Sequence, residues 1–166
     1  MSCKTKLLII AGAMLLGCQI GRAQIDVGAK FPELSAVHFE GALPSDLHGS
    51  VVLVDFWASW CAPCKASFPA LNKISEEFSA RGLRVVGVSV DERRPPFEAF
   101  VGRLKPSFAV VRDARQELVG QVKVPTMPTS YLVDRTGKVR FVHRGFHDHT
   151  DEELRREIAG LLEEKS

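Results

Sequence analysis

A chain of 166 residues, 45% hydrophobic and 25% charged, suits one globular domain with a real core and excludes a disordered or collagen-like polymer. Four cysteines are too few for a disulfide-dense mini-fold. The formal charge of +2 comes from 22 Lys and Arg against 20 Asp and Glu; without Lys4, Lys6 and Arg22, which precede every acidic residue, 19 basic residues face 20 acidic ones, which leaves no electrostatic footprint for nucleic acid.

The chain opens with a targeting pattern. Lys4 and Lys6 form a basic start, and Leu7 to Leu16 is an apolar run too short to span a bilayer as an ordinary helix. Gly21 and Ala23 then place small residues at −3 and −1 before Gln24, so residues 1–23 read as a signal peptide removed on export. Leu15-Leu16-Gly17-Cys18 also resembles the lipobox of bacterial lipoproteins, in which cleavage falls before the cysteine and Cys18 is lipidated. Either route leaves the domain at 24–166 outside the cytoplasm, in the periplasm or cell envelope of a bacterium. Contact with the membrane is then made through the leader or a lipid anchor alone.

Ile25 to Pro32 reads as an irregular lead-in, and Ala36 to Phe39 as a short edge strand. Ser50 to Trp57 is a nearly unbroken apolar run of strand length, which predicts a buried central strand. Ala62 to Ala80 predicts a helix with Phe68, Leu71, Ile74 and Phe78 on one face, stopped at Gly82. Leu83 to Val90 is a second buried strand, so strand, helix and strand make a βαβ unit. Pro95 and Pro96 open a second helix whose Phe97, Phe100, Val101 and Leu104 face the core, while Arg93-Arg94 reads as a solvated turn. Phe108 to Val111 is a short strand, and Ala114 to Gln121 one or two helical turns. Thr129 to Val133 and Lys138 to His143 are strands joined by the turn residues Asp134-Arg135-Thr136-Gly137. Thr150-Asp151-Glu152-Glu153 reads as a capping box before a last helix with Leu154, Ile158, Leu161 and Leu162 on one face. This order predicts an α/β/α sandwich around a mixed sheet. His143, His147 and His149 read as solvated loop histidines rather than a metal cluster.

Cys3 and Cys18 belong to the leader, so the domain keeps Cys61 and Cys64. A pair three apart closes almost no loop, and no second CxxC completes a zinc site. A redox pair in an oxidising compartment remains, with no metal and no cofactor required. The pair sits at a strand-to-helix junction. There Cys61 meets the free N–H groups and dipole of a helix start, which favour its thiolate, and Cys64 lies one turn further in, placed to resolve a mixed disulfide. Pro63 fits the first turn. Asp55 interrupts the apolar strand six residues before Cys61; burial should raise its pKa and suit it to accept the Cys64 proton. Val124 to Ser130 carries two prolines, and a Met127–Pro128 bond facing the cysteines is expected to be cis, with Met127 and Pro128 forming a platform for an extended substrate.

The segment VDFWASWCAPCK closely resembles the active-site segment of thioredoxins, Pro69 matches the proline inside that family's active-site helix, and Met127-Pro128-Thr129 matches its cis-proline loop. With the leader, Leu43 to Gly49 and YLVDRTGKV, the chain looks like the TlpA/ResA branch of exported thiol:disulfide oxidoreductases. The resemblance implies protein disulfide substrates, contacts from Trp60, Ala62, Pro63, Met127 and Pro128, a membrane electron donor and a monomer. Members with a glutamate between the cysteines serve cytochrome c maturation; Ala62 stands there in this chain. Two alternatives remain beside it. A peroxiredoxin-like peroxidase shares the fold but sets a Pro-x-x-x-Thr/Ser motif before its cysteine, where this chain has Trp57. A Sco-like copper-binding module uses CxxxC.

Overall fold

The computed structural model describes residues 24–164. The expected leader over 1–23, Cys18 included, lies outside them. Five strands form one mixed sheet in the order β3-β2-β1-β4-β5. They are β1 (Val51–Trp57), β2 (Leu83–Ser89), β3 (Ala109–Arg112), β4 (Thr129–Val133) and β5 (Val139–Arg144). β1 runs parallel to β2 and antiparallel to β4, and every one of its residues is buried. A strand covered on both faces needs apolar side chains at nearly all positions, which is why the run over 51–57 lacks the usual alternation.

The alternation survives in where the side chains go. Val51, Leu53 and Trp57 enter one core with Phe68, Leu71 and Ile74 of α1 (Ala62–Phe78), Phe100 of α2 (Arg94–Leu104) and Leu154, Ile158 and Leu161 of α4 (Thr150–Glu163). Val52, Val54 and Phe56 enter a second core with Leu118 and Val122 of α3 (Glu117–Val122). A six-residue helix cannot cover that face alone. The segment before β1 completes it: Gly28 and Ala29 exchange backbone bonds with Val139 at the start of β5, Phe31, Leu34 and Val37 are buried, and Glu40 bridges Arg112 of β3. This segment therefore crosses the sheet from one edge to the other and occupies both edges.

Several expectations are corrected. Ala36 to Phe39 is not a strand: Leu34–Ala36 forms a 3-10 turn with no strand beside it, and after that turn only Glu40 pairs with the sheet, through backbone bonds to Arg112, whose side chain also holds the Glu40 carboxylate at 2.6 Å. The helix read to Ala80 ends at Phe78 and tightens into a 3-10 turn before Gly82, whose φ of 102° suits glycine. Thr150 does not cap α4. His149, at φ 71°, is the residue before the helix, and its carbonyl already accepts the Glu153 N–H, so the helix starts one residue earlier than a capping box requires. Arg94 belongs to α2 and pairs with Glu40 at 2.6 Å. His143 is not a solvated loop residue. It lies in β5, largely covered, with Nε2 2.7 Å from Glu157 of α4. His147 and His149 are exposed.

Candidate active site

β1 ends at Trp57, whose ring is fully buried and stacks with Phe100 at 4.4 Å and Phe97 at 5.8 Å, with Phe68 edge-on. Gly87 on β2 lets the indole lie close: a Cβ there would stand 3.1 Å from Trp57 Nε1. The turn that follows is held from below by Asp91. This carboxylate, 3% exposed, accepts the Ser59 backbone N–H at 3.0 Å, the Ser59 hydroxyl at 2.8 Å and the Ser89 hydroxyl at 2.8 Å. Strand end and turn are thus tied to the end of β2 just before the chain reaches Cys61.

Cys61 is the cap residue of α1, and its sulfur accepts the Cys64 N–H at 3.2 Å. The two cysteines are joined as a disulfide with their Cα atoms 5.3 Å apart. Cys64 is fully buried, whereas Cys61 keeps 5% of its surface open. Pro63 lies in the first turn, where no helical bond needs its N–H, and Pro69 sits inside the helix. Trp60, 71% exposed, stands beside the pair. Met127 packs half-buried against the core that contains both cysteines, the Met127–Pro128 bond is cis, and Pro128 is buried.

Asp55 is buried on the face of β1 that carries Leu53 and Trp57, the face on which α1 and its Cys64 pack. Its Oδ1 accepts the Ser130 hydroxyl at 2.6 Å from the paired position on β4, and its Oδ2 has no partner. Burial pushes the Asp55 carboxyl up to about 7, against the opposing pull of the Ser130 hydrogen bond. Asp55, Cys61 and Cys64 thus occupy one side of the sheet. Met127 and Pro128 lead into β4 beside them, and Trp60, Ala62 and Pro63 lie at the opening of α1.

Two residues at the site escape a sequence reading. Ser130 reads as one polar position in an ordinary strand, TSYLV, and the register with Asp55 becomes visible only once β1 and β4 pair. Asp91 follows an apolar strand, as many turn residues do; its distinguishing signal is that serines stand at both places it bonds, Ser59 and Ser89. No group of three His, Cys, Asp or Glu side chains suited to a metal ion occurs among the described residues.

The AhpC/TSA family model matches residues 27–142. The thiol-disulfide oxidoreductase ResA of Bacillus thuringiensis (strain Al Hakam) is 29% identical over 154 residues, which is 89% of this chain and 88% of that protein. Among solved structures, a candidate thiol:disulfide interchange protein DsbE from Chlorobium tepidum is 36% identical, with a TM-score of 0.73 over 84% of this chain and 99% of its own. StoA from Bacillus subtilis is 27% identical, with a TM-score of 0.59 over 66% and 82% of the two chains. With a family model reaching from the lead-in segment into β5, and relatives that share both the fold and the cysteine chemistry, the chain belongs to the AhpC/TSA family, within the thioredoxin-like thiol:disulfide oxidoreductases related to ResA, DsbE and StoA.

Proposed function

We propose that the protein is an exported oxidoreductase that reduces or exchanges disulfides in protein substrates, with Cys61 as the attacking and Cys64 as the resolving thiol. The observation that carries this reading is the asymmetry of the pair: Cys61 caps α1 with an open edge, and Cys64 is sealed beneath it. In the dithiol form the helix start favours a Cys61 thiolate. That thiolate attacks one sulfur of a substrate disulfide, forms the mixed disulfide and releases the other sulfur as a thiolate. Cys64 then gives its proton to the Asp55 carboxylate, and its sulfur attacks Cys61. The bond to the substrate breaks, and the second substrate sulfur leaves as a thiolate that takes a proton from solvent. Two electrons pass from the Cys61–Cys64 pair to the substrate.

Trp60, Ala62, Pro63, Met127 and Pro128 form the surface that an extended substrate segment meets, Met127 with backbone groups that pair as in an added strand. Residues 1–23 act as a leader, cleaved after Ala23 or before a lipidated Cys18, and residues 24–166 work in the bacterial periplasm or cell envelope. A monomer recharged by a membrane electron donor fits this picture. The support for export is the basic and apolar start of the chain.

The test is trapping. Cys64→Ser is expected to accumulate mixed disulfides through Cys61, and Cys61→Ser to lose exchange altogether, read by non-reducing gels and mass spectrometry of the captured species. Capture mainly through Cys64 in the Cys61→Ser protein reverses the roles.

A further inference from the structure

We propose that Ser130 is a positioning residue for proton transfer: its hydroxyl, donating across the β1–β4 ladder to Asp55 Oδ1, holds that carboxyl with Oδ2 left free to take the Cys64 proton. The proposal rests on Asp55 being the proton acceptor and goes beyond it by naming what orients and tunes that acceptor. Three observations carry it. Asp55 and Ser130 are direct partners in the antiparallel register, so their side chains leave the sheet on one face as neighbours. The hydrogen bond is short, at 2.6 Å, and both residues are buried, so water does not compete for it. The remaining carboxyl oxygen, Oδ2, is buried and unpartnered. A buried oxygen of this kind costs stability, and a site that must receive a proton is a physical reason to leave one.

The hydroxyl keeps its own proton throughout. It donates to the ionised carboxylate more strongly than to the neutral acid, so it stabilises the form of Asp55 that can accept. Titratable and charged side chains also occur on the elements packed against this face, each with its own contacts. Cys64 comes from α1, Arg103 of α2 lies over the Phe100 ring, and Arg155 of α4 faces Glu77 of α1. His143 of β5, the partner of Ser130 on its other side, is held by Glu157 and Glu153 of α4. β2 presents Gly87 opposite Asp55. Substitutions at Ser130 leave all of these in place.

The experiment follows resolution of a preformed Cys61 mixed disulfide in single turnover across pH 5 to 10, in the full-length domain. Ser130→Ala is expected to move the rising limb of the profile up by about one pH unit, so that resolution at pH 7 is about fivefold slower. Ser130→Thr is expected to restore the limb. The isosteric pair Ser130→Thr and Ser130→Val gives the same comparison if alanine does not fold. In an Asp55→Asn background the Ser130 substitution is expected to change nothing further. A limb that depends on Asp55 but stays put in Ser130→Ala and Ser130→Val overturns the role of Ser130 and leaves Asp55 intact. A limb unchanged in Asp55→Asn overturns both.

Discussion

At the scale of single residues, Asp55 adds a pH response opposite in sign to that of Glu40, Asp46, Asp134 and Glu164, whose carboxyls are held below their ordinary range. In an unfolded chain the Asp55 carboxyl ionises near 3.8, and in the fold burial holds it at about 7. Between those values Asp55 in the folded state retains a proton that it has lost in the unfolded state, so its contribution to stability falls as pH rises from about 4 to 7 and levels off above. Asp55→Asn removes this penalty. The variant is expected to gain on the order of 3 kcal/mol over the native chain at pH 8 and almost nothing at pH 4. Urea unfolding of the oxidised protein at both pH values measures it, and an equal gain at pH 4 and pH 8 contradicts the assignment. Asp55 was legible in the sequence because a carboxylate in the middle of VVLVDFW has no solvent to reach. Its partner Ser130 was not, because hydroxyls are common in strands and the bond depends on which residue of a distant strand lies opposite.

At the scale of elements, the opening of α1 is held by its neighbours as much as by its own sequence. Asp91 ties Ser59 to Ser89, and so fixes the turn between β1 and the helix against the end of β2. Asp91→Ala leaves the Ser59 N–H and the Ser89 hydroxyl without their acceptor. The expected cost is about 2 kcal/mol or more, with slower exchange and an intact sheet. Denaturant unfolding and a turnover assay check this together, and a variant native in both shows that the turn holds itself. Most elements were readable, since β1, β2 and α1 carry unbroken apolar runs or a single apolar face. The failures share a cause. Ala36 to Phe39 has strand-like composition but no ladder beside it, and Thr150 has a capping pattern overruled by the left-handed backbone at His149. Local pattern proposes an element, and the neighbour supplied by the rest of the chain decides it.

At the scale of the whole molecule, the sheet is covered unequally. Three helices protect the face that carries the cysteines. The other relies on a six-residue helix and on the segment from 24 to 49. A chain starting at residue 50 loses Phe31, Leu34 and Val37 from the second core and uncovers both sheet edges. It is expected to aggregate or to unfold without a cooperative transition, although it retains every residue of the redox site. Circular dichroism melts and light scattering test this; a cooperative melt of the shortened chain would show that α3 covers the face alone. Order in time follows from the same segment. Gly28 and Phe31 close their backbone bonds with Val139 and Gly137, more than a hundred residues later. Contacts that distant are slow to form, so the residues that are synthesised early are secured only after nearly all of the domain has appeared.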